Sequence, residues 1–197
     1  MKIDEGYIKF NINWTQKQYD FRDQYFQDLN YYREQLHKLG LIGVYDDGIG
    51  FGNISIRIQN NEFIISGSST GNIESLQKDH YSLVKEFDIK NNNVHCEGLT
   101  KASSESMSHA VIYEENSNIN AVIHIHHQKM WEKLLNSEPT TNKDAKFGTP
   151  EMASEIQKLI QDNSGIIIMA GHEEGIITFG QSLKEAYNII IKYYNNL

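Results

Sequence analysis

The chain is 197 residues long and carries 26 acidic against 18 basic side chains, a formal charge of −8. That length suits one domain of ordinary size, and an acidic balance without any cluster of Lys or Arg argues against nucleic acid or an anionic membrane as a partner. A hydrophobic content of 39% with two prolines supplies a core and sets aside a long disordered segment.

In chain order, residues 1–18 show no clear periodicity and read as an extended N-terminal arm, with 19–197 as the folded domain. The arm has no apolar run fit for a signal peptide, and no later run is long enough to span a bilayer, so the expected location is cytoplasmic. Phe21, Tyr25, Leu29, Tyr32, Leu36 and Leu39 recur at three and four, which predicts an amphipathic helix over 20–39, stopped by Gly40 and Gly43. The glycines of Gly48-Ile49-Gly50-Phe51-Gly52-Asn53 follow that helix and precede the alternating run 54–58. This order is the reverse of a dinucleotide loop, which follows a strand and opens a helix. Residues 62–66 predict a strand, 66–71 a polar loop, and 73–76 a helical turn. Two strands over 83–89 and 94–97 form a hairpin around Asn91-Asn92-Asn93.

Ser103-Ser104-Glu105 reads as the capped start of a helix to about residue 115, 120–126 as a strand, and 127–135 as a helix. Pro150 marks the first turn of another helix ending by 162. Strands over 165–170 and 175–178 and a closing helix over 182–194 complete one α/β domain with helices packed around a sheet. The single cysteine, Cys96, excludes an internal disulfide and any CxxC site, and is read as a half-buried strand residue. With eight histidines present, a transition-metal site must lean on imidazole.

His124-Ile125-His126 is the centre of interest, because residues two apart on a strand share a face and can converge on one ion. The alternative is a pair satisfied by carboxylates or water. His127 points elsewhere and is left out of the ligand set. His172, after a buried-looking strand and a glycine, is placed where one strand ends and the next begins, and three imidazoles leave an open position on a tetrahedral ion. Its alternative role is that of a polar turn residue. Glu105, at a helix start beside two serines, is a candidate base or fourth ligand, although the helix dipole alone favours Glu there. A serine pair at a helix N-terminus, backed by Asn53 and a glycine-containing loop, offers neutral donors to a phosphate. The same residues could serve only as caps and turns.

Taken together, Gly52-Asn53-Ile54-Ser55-Ile56-Arg57, Ser69-Thr70-Gly71, Ser103-Ser104-Glu105 with His109, Ala121 to His126, Phe147-Gly148-Thr149, and Gly171-His172 through Phe179-Gly180 resemble the class II aldolase and adducin head family. The resemblance runs in the family's order from about residue 25 onward. It implies a three-layer α/β/α fold around a mostly antiparallel sheet, in a homotetramer with sites between neighbouring subunits. It implies a zinc site at His124, His126 and His172, with other divalent transition metals able to replace zinc, and a catalytic role for Glu105. It also implies a sugar-phosphate site at Asn53, Thr70, Gly71, Ser103 and Ser104. The expected activity is retro-aldol cleavage of a small phosphorylated ketose or related hydroxy-carbonyl compound. Glu at 105 favours this over the family's epimerases, which carry Asp there, and over its dehydratases.

Two departures from the pattern stand out. The stretch between His126 and Phe147 is shorter than in typical sugar-phosphate aldolases, and no tyrosine lies between Tyr113 and Tyr187, where those enzymes take a proton donor. A C-terminal segment that closes over substrate in several members is expected to be missing beyond Leu197. An epimerase or dehydratase on the same scaffold, and a non-catalytic adducin-like assembly domain, therefore stay open beside the lyase.

Overall fold

A computed structural model describes residues 7–197; the first six residues of the expected arm lie outside the described residues. The elements are β1 (Asn11–Gln16), α1 (Asp23–Lys38), β2 (Gly43–Val44), β3 (Gly50–Phe51), β4 (Asn53–Gln59), β5 (Glu62–Ser66), β6 (Tyr81–Asp88) and β7 (Asn93–Gly98) in the first half. There follow α2 (Ser106–Glu115), β8 (Ala121–His126), α3 (Gln128–Leu134), α4 (Pro150–Leu159), β9 (Gly165–Ile168), β10 (Gly175–Gly180) and α5 (Leu183–Tyr194). Eight strands form one sheet in the order β1-β7-β6-β5-β4-β8-β10-β9, while β2 and β3 pair separately as a small hairpin. Among the described residues, β1 and β7 pair in parallel and the other pairings between strands of the large sheet are antiparallel.

Alternation along the strands sends side chains to two cores, one on each face. On one face Phe63, Ile65, Val84, Val122 and Ile177 meet Met107 and Val111 of α2 and Met152 and Ile156 of α4. On the other, Ile54, Ile64, Ile123, Ile125 and Ile176 meet Leu29 and Leu36 of α1, Met130 of α3, and Ala186 and Ile190 of α5. Each of the Val, Leu, Ile, Met and Phe side chains among them contributes about 1.5–3 kcal/mol when fully buried. The result is the expected three-layer α/β/α arrangement. Within it α2 is internal on nearly all sides, so its polar residues Ser106, Ser108 and His109 are buried along with its apolar ones. Buried polar groups must find partners inside the protein, and this one helix therefore draws a polar network into the core.

The structure revises several expectations. Residues 11–16 of the arm are a strand: β1 pairs with β7, and the Trp14 indole donates to the Gly98 carbonyl at 2.9 Å, fastening the strand to the sheet edge. Cys96 is fully buried rather than half-buried, because β7 lies under β1 and faces the α2 core, and burial raises its thiol pKa. The helical turn expected over 73–76 does not form. Its carbonyls are drawn sideways by Arg33, buried on α1, whose guanidinium donates to Thr70 O (2.7 Å), Ile73 O (2.7 Å) and Glu74 O (3.0 Å). A short 3-10 turn over Lys78–His80 follows instead. Finally, α2 starts at Ser106, three residues later than expected, which leaves Ser103, Ser104 and Glu105 in the approach to the helix.

Candidate metal centre

β8 is buried along its whole length, and its register puts His124 beside Asn53 of β4 on one side and Ile177 of β10 on the other. His126, two residues on and on the same face, lies opposite Gly175 of β10. A Cβ at 175 would come within 3.0 Å of His172 Nδ1, so the glycine leaves the space that the His172 ring fills. The three imidazoles meet there: each offers a ligand atom within 4.8 Å of the others, and all are buried. Phe147 stacks on His172 at 4.5 Å between ring centroids, closing the far side.

The donor chemistry of this cluster fits a divalent metal. His124 Nδ1 lies 3.2 Å from the Ile176 carbonyl, which can only accept, so Nδ1 carries the proton and Nε2 the lone pair. That Nε2 lies 3.0 Å from His126 Nε2. Burial, then the neighbouring His172, hold both rings well below the usual imidazole pKa, so both are neutral and ready to ligate near pH 7. His126 Nδ1 in turn lies 2.8 Å from the Tyr45 hydroxyl, which donates to Glu174 Oε2 at 2.8 Å.

Glu105 occupies the N-cap position of α2 without capping it: its side chain makes no hydrogen bond to the helix amides. The Ser108 hydroxyl instead donates to Oε2 at 2.7 Å, and Oε1 lies 3.6 Å from His172 Nδ1. The late start of α2 thus turns the carboxylate toward the histidines. Behind it His109 Nδ1 and the Tyr113 hydroxyl each lie 2.7 Å from Ser55 Oγ, a buried chain linking α2 to β4.

Asn53, Thr70, Gly71, Ser103 and Ser104 all line one cleft of about 680 Å³, together with the β2–β3 hairpin and the 67–72 loop. The loop is held against the approach to α2 by the Ser68 amide, which donates to Lys101 O at 2.8 Å. Gly71 is required by close packing: a Cβ there would lie 2.0 Å from the Gly43 carbonyl oxygen. Among the described residues that line the cleft there is no Lys or Arg and one carboxylate, Asp46, and the N-terminus of α2 opens beside it. The cleft reaches the histidine cluster through Asn53, which neighbours His124, and through Tyr45, which bonds His126. His127 stands apart as the cap of α3, its ring accepting from the Met130 amide at 3.1 Å.

Sequence reasoning missed Tyr45, Glu174 and Arg33. No periodic or spacing signal marks Tyr45 in its turn. The acidic pair after His172 was visible, but only the fold turns Glu174 inward and leaves Glu173 exposed. Arg33 falls between the apolar positions of α1, where a charged side chain normally faces water.

A layered α/β/α protein with three clustered histidines on a mostly antiparallel sheet, flanked by a buried carboxylate and a polar cleft, is the class that this fold and site define. The class II aldolase and adducin N-terminal domain model matches residues 37–195, and the chain belongs to that family. Among solved structures, an L-fuculose 1-phosphate aldolase superposes with a TM-score of 0.68 at 22% identity, covering 89% of this chain and 84% of that one. The L-fuculose-1-phosphate aldolase of Thermus thermophilus gives 0.63 at 21% identity, over 87% and 90% of the two chains. The sugar-phosphate aldolase of Thermotoga maritima gives 0.67 at 15% identity, also over 87% and 90%. At these identities the likeness shows the shared fold. No curated protein sequence matches significantly.

Proposed function

We propose that the protein is a metal-dependent aldehyde-lyase that cleaves a small phosphorylated ketose, or a related hydroxy-carbonyl compound, by retro-aldol chemistry. The observation that carries this reading is a cluster of three buried imidazoles, with His124 and His126 held neutral, beside a buried carboxylate and next to a cleft rich in uncharged polar groups. His124, His126 and His172 would hold the ion, and zinc suits an all-imidazole set. When bound, a divalent ion supplies Lewis acidity to stabilise negative charge developing on substrate oxygens.

The chain's own residues supply the remaining parts. Glu105 moves the proton: Ser108 anchors Oε2, which fixes the carboxylate with Oε1 toward His172. In the cleavage direction a hydroxyl gives up its proton and becomes the carbonyl of one fragment. The electrons of the broken carbon–carbon bond pass to the fragment that keeps the original carbonyl, and its carbon is then protonated. Asn53, Thr70, Gly71, Ser103 and Ser104 are suited to a phosphate, since polar side chains and the positive end of α2 bind an anion without a fixed cation. The family resemblance supports a homotetramer, and a formal charge of −8 supports a small-molecule substrate over nucleic acid. No described helix is long and apolar enough to cross a membrane.

The test is metal analysis of the purified protein and of His124→Ala and His172→Ala, with a dihydroxyacetone phosphate release assay over a panel of ketose 1-phosphates. Near-stoichiometric zinc that both variants lose, with metal-dependent release, is the expected result. Bound metal without turnover on any substrate would move the reading to an epimerase, a dehydratase or a non-catalytic domain, and a metal-free wild-type protein would overturn the site. Competition by inorganic phosphate is expected; its absence would point to an unphosphorylated substrate.

A further inference from the structure

We infer that Tyr45 and Glu174 form a relay behind the metal centre that sets the tautomer of His126 and makes its Nε2 a better ligand, an inference that rests on the metal reading above. The proton inventory is the argument. A phenol has one proton, and the carboxylate at 2.8 Å can only accept, so the Tyr45 proton points at Glu174 Oε2. What the phenol oxygen then offers His126 Nδ1, also at 2.8 Å, is a lone pair, and Nδ1 must be the nitrogen that carries the hydrogen. Nε2 is left with its lone pair on the side facing His124 and His172. His126 Nδ1 and Glu174 Oε2 are 4.0 Å apart, too far for a direct hydrogen bond, so the tyrosine is the necessary bridge. His124 reaches the same tautomer through the Ile176 carbonyl, which carries no charge, whereas the Tyr45 hydroxyl connects His126 to a carboxylate, which raises ligand basicity.

Both members of the relay are held in place. Tyr45 sits in the tight turn between β2 and β3, its amide donating to Ile49 O at 2.9 Å and its carbonyl accepting from Gly48 N at 2.8 Å. Phe51 packs against both the Tyr45 ring, at 4.5 Å, and the His126 ring, at 5.6 Å. Glu174 has φ of +66°, a left-handed conformation that is strained for a residue with a side chain and that glycine adopts freely. Its own carbonyl accepts from the His127 amide at 3.1 Å, tying this backbone to the end of β8. A strained glutamate where glycine would be cheaper points to a use for its carboxylate. The Tyr45 hydroxyl bonds His126 and Glu174, and acting through His126 makes it a positioning residue.

The experiment uses the full chain, stripped with a chelator and titrated with Co²⁺, read by visible absorption, and with Zn²⁺ against a competing chelator. Wild type, Tyr45→Phe, Glu174→Gln and Glu174→Gly are compared, with thermal melts of the metal-free forms alongside. Tyr45→Phe and Glu174→Gly are expected to weaken metal binding about 10–100-fold, and Glu174→Gln, which keeps an acceptor and loses the charge, by less. Metal-free Glu174→Gly is expected to melt at or above wild type, because glycine relieves the left-handed backbone. A residue with a merely structural role would lose stability and leave affinity alone. The double variant Tyr45→Phe/Glu174→Gly is expected to bind no more weakly than Tyr45→Phe, since the two act in series. Wild-type affinity in both Glu174 variants would overturn the relay while leaving the metal site standing, and it would do so even if Tyr45→Phe fails to fold. A wild type that binds neither ion would overturn both readings.

Discussion

His109 shows how one buried residue couples the site to pH. It is fully buried, makes a 2.7 Å hydrogen bond to Ser55 through Nδ1, and burial pushes its pKa down to about 3. In the unfolded chain it titrates near 6.5, so the unfolded state binds the extra proton between about pH 6.5 and 3. Its contribution to stability is complete above 6.5 and is lost as pH falls through that window, at about 1.4 kcal/mol per pH unit for one proton. His124 and His126 act in the same direction in metal-free protein, so the comparison is with a variant. His109→Gln should take up close to one proton fewer on unfolding between pH 6 and 4, measured by urea denaturation of chelator-treated protein at a series of pH values. Equal slopes in the two proteins would show that His109 is not buried as a neutral ring. Gly71 makes a steric prediction at the same scale. A methyl group at 71 would meet the Gly43 carbonyl at 2.0 Å, so Gly71→Ala should cost about 1–3 kcal/mol in thermal denaturation and push the β2–β3 hairpin off the cleft.

At the scale of elements, α1 does more than cover the sheet. Its apolar stripe buries Leu29 and Leu36, as the spacing of three and four requires, while Arg33 uses the same buried face to hold the 70–74 stretch by three carbonyls. This helix therefore supports the loop that presents Thr70 and Gly71 to the cleft. Burial lowers the Arg33 pKa from a high starting value, and the guanidinium stays charged. Arg33→Met keeps most of the apolar bulk and leaves those carbonyls without their donor, with an expected cost on the order of 3 kcal/mol. Amide hydrogen exchange over 70–76 should quicken much more than exchange in β4. Uniform quickening would mean that Arg33 supports the fold generally and the loop only incidentally. The delayed start of α2 is a second effect at this scale. Had the helix begun at Ser103, Glu105 would lie in its first turn; as the N-cap residue, it turns toward His172.

For the whole molecule, the three clustered histidines join parts of the sheet that are distant in sequence. His124 and His126 come from the middle of the sheet, and His172 from the connection between β9 and β10. An ion held by all three ties that connection to β8 and should stabilise the folded state by linkage, about 2.7 kcal/mol at a hundredfold excess over Kd. Melting temperature should therefore fall on chelation and recover with added Zn²⁺, and His172→Ala should abolish the response. A chelator-insensitive melt in protein shown to carry zinc would place the ion somewhere other than these three residues.

Much of the fold was legible in the sequence because it is written in local patterns. The period of α1, the alternation of β4, the asparagine turn between β6 and β7, and the Thr149-Pro150 and Ser182 helix starts all lie close to where the residues put them. The His-x-His pair was legible for the same reason, since two residues on one strand share a face. What only the tertiary structure decided are the interactions between segments far apart in the chain. The sideways pull of Arg33 on residues 70–74 cancelled a turn that local sequence favoured, and pairing with β7 made a strand of part of the arm. Tyr45 and Glu174, 129 residues apart in sequence, share one hydrogen bond behind His126. Propensity and periodicity are sums over neighbouring residues, so they carry the elements. A hydrogen bond closed across the sheet depends on strand order and register, which no local sum contains.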